Sequence, residues 1–228
     1  GTELLPRARE LVGGAERVLA PVAAFEPRTA TGVVTLALGD DMQAMLAGRV
    51  LTRLRSEAPG LDIRVRSISR SIAHDAQRGV IDAFVMPDMR SAYDIPAVED
   101  LVPKPEYVRR FVTATRTRRK LALDAFVAAD HALVSPEGEE GGYVDDALRA
   151  MGRKRRVAVT VPTFQAALTL VRESDLVATL PDDVLRALAP DLHRQPCPVA
   201  TPELTMCVWW ASRFTSDARH RWLRGHLA

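Results

Sequence analysis

The sequence predicts an α/β fold built as two lobes with a cleft between them. Three observations carry this expectation. Apolar segments of strand length alternate with helical ones, and the alternation runs twice along the chain with short connections. A chain of 228 residues is also too long for one small core and suits two lobes of about 100 residues each.

The elements follow in order. Leu11, Ala15, Val18, Leu19 and Val22 form an apolar stripe that predicts a helix over 7–24. Pro6 suits its first turn, Pro27 lies beyond its end, and Pro21 should kink it or close it early. Residues 25–32 read as a short polar linker. Val33–Leu38 is a continuous apolar strand, and Asp40-Asp41 opens a helix that runs to about Ala58 and stops before Pro59-Gly60. A strand at Leu61–Ile68, a helix from Ser69 to about Arg78, a turn at Gly79 and a strand at Ile81–Met86 complete a β-α-β-α-β order. That order predicts a mostly parallel sheet with helices on its faces. Residues 88–104, with Pro96 and Pro103, read as loop, and Arg109–Thr115 as the next strand.

The second unit comprises helix Leu123–Ala128, strand Ala132–Ser135, a glycine-rich loop over 137–142 and helix Tyr143–Met151. It continues with strand Arg156–Val161, helix Thr163–Glu173, strand Leu176–Leu180 and helix Pro181–Leu188. After a passage holding Pro190, Pro196, Pro198 and Pro202, a strand at Leu204–Trp210 precedes a terminal helix, Ser216–His226. A late strand and helix after two α/β units predict that the chain crosses between the lobes at least twice.

Composition narrows the function. The chain is 47% hydrophobic and 26% charged, the balance of an ordinary globular protein. No apolar run approaches the roughly 18 residues that span a bilayer, so no membrane contact is expected. Residues 1–7 show no apolar segment of a secretory signal, which with reduced thiols at Cys197 and Cys207 predicts a cytoplasmic protein. With 31 basic and 29 acidic residues the net charge is only +2, unlike an autonomous DNA-binding domain. The densest basic run, Arg153–Arg156, follows Gly152 and reads as a solvated helix end.

Catalytic signatures are missing: there is no nucleophile elbow, no phosphate-binding glycine loop and no metal-binding His pair, so neither an enzyme nor a cofactor is expected. The five histidines do not cluster with carboxylates, and His131, just before a buried-looking strand, reads as a structural residue. The doublets Asp40-Asp41, Asp145-Asp146 and Asp182-Asp183 fall in first helical turns and read as caps. Strand ends are more informative. Gly39-Asp40-Asp41-Met42, Ser67 and Ser69, Met86-Pro87, Ser135-Pro136 and Pro162-Thr163-Phe164 all stand at strand-to-helix junctions, where parallel α/β sheets bind ligands. Hydroxyls on Ser67, Ser69, Ser135 and Thr163, with apolar walls from Met42, Met86 and Phe164, suit a small acidic or aromatic compound.

These residues also resemble a family. Leu5-Pro6-Arg7-Ala8-Arg9-Glu10-Leu11 looks like the passage from a winged helix-turn-helix domain into the linker helix of LysR-type regulators. Val33–Leu38 followed by Asp40, the helix–Pro59-Gly60–strand passage with Ile63 and Val65, and the Gly79-x-Ile81-Asp82 turn resemble the start of their regulatory domain. Asp130–Pro136, Val161–Phe164 and Leu176–Pro181 look like the branch of nodulation and aromatic-acid sensors. Two positions depart from that pattern: Gly39 stands where many members have Ser or Thr, and Thr163 where some aromatic-acid sensors have His.

The resemblance implies a periplasmic-binding-protein type II fold of two Rossmann-like lobes, preceded by the end of a linker helix at 1–30. Lobe I would take 31–107 and 205–228, and lobe II 108–204. It implies a non-catalytic sensor that binds a small-molecule effector in the cleft and assembles as a homodimer or homotetramer. Operator DNA would be reached only through an N-terminal domain not contained in this sequence. A free-standing solute-binding protein of a transporter is the alternative, and an enzyme on the same fold a further one.

Overall fold

A computed structural model describes residues 25–88, 100–136, 138 and 141–227. The helix expected over 7–24 lies outside the described residues. Among these, strands β1 (Gly32–Leu38), β2 (Leu61–Arg66), β3 (Ala83–Pro87), β4 (Leu101–Arg109) and β10 (Leu204–Ala211) form one sheet in the order β2-β1-β3-β10-β4. Strands β5 (Phe111–Thr115), β6 (Asp130–Val134), β7 (Arg156–Val161), β8 (Val177–Pro181) and β9 (His193–Pro196) form the other, in the order β7-β6-β8-β5-β9. The chain therefore changes sheets twice, between β4 and β5 and between β9 and β10.

Both sheets are mixed rather than mostly parallel. β2-β1-β3 and β7-β6-β8 are parallel, as short strand–helix–strand crossovers require. β10 and β5 are the strands on which the chain changes sheets, and each joins its new sheet antiparallel, against β3 and β8 respectively. β4 was expected as loop because of its prolines. It tolerates Pro103 and Pro105 because it is an edge strand with β10 as its one neighbour, so missing N–H groups do not break a central ladder. The register with β10 slips between Met206 and Cys207, opposite Tyr107 and Pro105. β9 lay unseen in the proline-rich passage and is likewise an edge.

The helices are α1 (Asp40–Glu57), α2 (Ile72–Gln77), α3 (Leu123–Ala128), α4 (Tyr143–Ala150), α5 (Phe164–Glu173), α6 (Asp182–Leu188) and α7 (Ala218–Arg224). α2 begins three residues later than the serine-initiated helix expected. Ser69 and Ser71 hydroxyls pair with each other at 3.1 Å, and Ser71 donates to Asp75, so these side chains hold a turn rather than a cap. Gly79 ends α2 with φ of +74°, a conformation that favours glycine. Just beyond it, the Asp82 carboxylate accepts from the Thr35 N–H at 2.7 Å and fixes β3 against β1.

Each sheet buries both faces, which explains the near-continuous apolar strands. On β10, Met206, Val208 and Trp210 join Leu36, Met42 and Leu54 in one core, whereas Cys207, Trp209 and Ala211 join Phe84 and Ile72 in another. Trp209 and Phe84 stack with ring centroids 6.0 Å apart. The second sheet packs α5 and α6 on one face through Leu168, Val171 and Leu185, and α3 and α4 on the other through Phe126 and Leu148.

Candidate functional site

Strand order places the carboxyl ends of β1, β3, β6 and β7 around one gap between the sheets, where a cavity of about 410 Å3 opens. That volume falls in the usual range for small-molecule sites. Residues from both sheets line it. Eleven of the thirteen residues expected from the sequence stand on its wall: Gly39, Asp40, Asp41, Met42, Ser67, Met86, Pro87, Pro136, Pro162, Thr163 and Phe164. Ser69 and Ser135 do not. Ser69 sits exposed in the turn before α2, and Ser135 is buried off the wall.

The wall also includes residues that sequence reasoning missed, among them Arg109, Phe111, Tyr143, Arg155 and Thr179. Arg109 ends β4, at the first crossing between sheets. Its Nη1 donates to Asp41 at 2.6 Å, and its Nε and Nη2 donate to Asp183 at 3.1 and 2.9 Å. Nη2 also donates to the Tyr107 hydroxyl, which donates in turn to Asp183. Asp41 belongs to α1 against the first sheet and Asp183 to α6 against the second, so one guanidinium ties both halves together. Burial works against its charge, but Asp41, Tyr107 and Asp183 outweigh that cost and raise it above its ordinary value. The Tyr107 hydroxyl is pushed up to about 12, chiefly by burial and further by Asp183.

The aspartate doublets thus do more than cap. Asp40, half-buried on α1, accepts from the Gln165 N–H of α5 at 3.2 Å, capping a helix of the other half. Burial raises its carboxyl above the usual range against the opposing pull of that bond. Thr163 caps the same helix, accepting from Ala166 at 3.2 Å. Asp145 accepts from Gly142 at 2.9 Å as expected of a cap. It is also gripped by both Nε and Nη2 of Arg155, at 2.9 and 2.8 Å, in a two-pronged pair. Gly39, where a hydroxyl-bearing residue was expected, has a steric reason: a Cβ there would meet Asp41 Oδ1 at 2.6 Å.

His131 is fully buried. Its Nε2 donates to the Phe126 carbonyl at 2.7 Å, leaving Nδ1 to accept from Arg155. Burial, with Arg155 adding, holds it down to about 4, so it is neutral and structural. Among the described residues no cluster of His, Cys, Asp or Glu could hold a metal ion. No helix among them is long and apolar enough to cross a membrane. What the wall offers is mostly apolar surface with a few polar groups, an arrangement for binding.

Two sheets wrapped by helices on both faces, joined by two crossings and enclosing a gap, define a two-lobed ligand-binding domain of the periplasmic-binding-protein type II kind. The chain belongs to the LysR substrate binding domain family, which it matches over residues 27–228. It is similar to the regulatory domain of MexT, a transcriptional activator in Pseudomonas aeruginosa, with 31% identity and a TM-score of 0.74. That match covers 87% of this chain and 98% of the MexT domain. It is 27% identical to the HTH-type transcriptional activator NahR of Pseudomonas putida over 88% of this chain and 67% of NahR. It is 26% identical to Nodulation protein D 1 of Sinorhizobium fredii over 88% of this chain and 63% of that protein. The chain thus spans about two thirds of the length of the curated relatives it matches.

Proposed function

We propose that this chain is the ligand-sensing domain of a LysR-type transcription regulator, and that a small effector binds in the cavity between its halves. The observation that carries the reading is the cavity itself. It is walled by strand ends and helix starts from both sheets and spanned by a network that ties the two halves. A ligand touching both walls shifts the relation between the halves by its differential affinity for their arrangements. Lobe boundaries near 107 and 204 accord with the two sheet changes. The whole protein would reach operator DNA through a further N-terminal domain and act as a homodimer or homotetramer in the cytoplasm.

The test is a thermal-shift screen of small aromatic and carboxylate compounds. A ligand of the folded form stabilises it by about 2.7 kcal/mol at a hundredfold excess over Kd. Thr163→Trp, which fills the cavity from the α5 start, should abolish the shift while circular dichroism still shows a folded domain. Losing the Thr163 cap costs about 1 kcal/mol, too little to unfold it. An undiminished shift in that variant removes the cavity from the reading.

A further inference from the structure

Of the two ligand classes the sequence suggests, the pairing of the charges around the cavity favours one. Among the described residues the wall carries two cations, and both are engaged. Arg109 is held by Asp41 and Asp183, and Arg155 by Asp145. Their side chains are 6% and 2% exposed, so neither can swing out to meet an incoming anion without abandoning its carboxylate partner. On the wall itself Asp40 and Asp41 balance these two guanidinium groups, and only with the off-wall partners Asp145 and Asp183 does the charged cluster reach a formal excess of two negative charges. Asp183 Oδ1 is buried without a hydrogen-bond partner among the described residues, so the cluster already holds more acceptors than donors.

The start of α5 and the approach to α4, the kind of place that otherwise holds an anion, are occupied as well. The Gln165 N–H of α5 goes to Asp40, the Ala166 N–H to Thr163 and the Gly142 N–H before α4 to Asp145. α1 presents Asp40 and Asp41 in its own first turn. At these positions the chain's own side chains therefore stand where a carboxylate ligand would need to bind. Between them the wall is apolar and partly aromatic, through Met42, Met86, Phe111 and Phe164.

We propose that the cleft selects a compound with a largely apolar, ring-bearing body, a hydrogen-bond donor and no negative charge, and that it turns carboxylates away. The donor would meet Asp40, which is half-buried at the rim and keeps acceptor capacity beyond the Gln165 bond. An added carboxylate would find like charge in the cluster and, among the described residues, no uncommitted cation on the wall, a combination that costs affinity whatever the ring contributes. This inference rests on the effector reading above and sharpens it.

The test uses one two-ring aromatic scaffold carrying, in turn, a hydroxymethyl group, a carboxamide or a carboxylate, titrated calorimetrically into the protein at pH 7.5. The uncharged pair should bind at least tenfold more tightly than the carboxylate, and Thr163→Trp should abolish their binding. Asp40→Asn should narrow that gap at least threefold by improving the carboxylate. A carboxylate that binds in the cleft as tightly as its uncharged counterparts overturns the charge selection and leaves the effector site standing. If no probe binds, or Thr163→Trp changes nothing, the effector reading falls and this inference falls with it.

Discussion

Replacing Arg109 with Met keeps most of its length and removes the cation that bridges Asp41 and Asp183. Asp41 is 3% exposed, so its carboxylate would remain buried with its ion-pair partner gone. Removing one member of a buried pair costs about 3–5 kcal/mol, because the partner's charge is left uncompensated. The Asp183 side chain is 25% exposed and can recover part of its hydration, which places the expected loss near 3–4 kcal/mol. For a chain of this length that is a fall in Tm of roughly 6–16 °C. The assay is urea unfolding followed by circular dichroism, with Arg109→Met compared with the triple variant Arg109→Met, Asp41→Asn, Asp183→Asn. Since the damage comes from stranded charge, the neutral triple variant should recover most of the stability. A loss below about 1 kcal/mol for Arg109→Met, or a triple variant no more stable than the single one, would refute the reasoning.

Other expectations follow from neighbouring contacts. Gly39→Ala places a Cβ 2.6 Å from Asp41 Oδ1 and should cost about 1–3 kcal/mol; in an Asp41→Ala background the penalty should largely vanish, and strictly additive losses in a double-mutant cycle would contradict the clash. His131 is held down to about 4 in the folded protein against 6.5 ordinarily, so between those values the unfolded chain binds more protons and stability falls as pH falls. Its share is at most about 3 kcal/mol, and His220, also lowered by burial, acts in the same direction. His131→Gln, which keeps a donor for the Phe126 carbonyl, should flatten the fall in Tm between pH 6.5 and 4.5; an unchanged slope assigns that fall elsewhere.

Much of the architecture was legible because its signals are local. The run Val33–Leu38, the stop at Pro59-Gly60 and the Gly79 turn each fix an element without reference to the rest of the chain. Most of the residues expected at the cavity stand on its wall for a related reason: parallel strands sharing a sheet bring their carboxyl ends to one side, so reading strand ends is reading one surface. What stayed hidden depends on partners far apart in sequence. Arg109 sits in a basic stretch where nothing marks it from Arg110, yet Arg109 is buried between two aspartates and Arg110 pairs with Glu203 in solvent. Arg155 reads in sequence as solvated like its basic neighbours, whereas it is buried with a bond to Asp145 and a contact with His131. The edge strands were hidden by proline, whose meaning reverses between a sheet's centre and its border. Ser69 differs because a hydroxyl near a strand end reads as facing the gap, whereas this one is exposed in the turn that leads into α2.

The two sheet changes have a mechanical consequence. Arg109 and Leu204 are paired residues on adjacent strands, and Arg110 and Glu203 bridge at 2.6 Å, so both tethers run side by side. Two parallel tethers behave like the pins of a door. They permit bending about the line that joins them and resist twisting about their length. Any ligand that alters the gap must then express itself along a single opening coordinate. One distance across the mouth of the cleft would be enough to follow it.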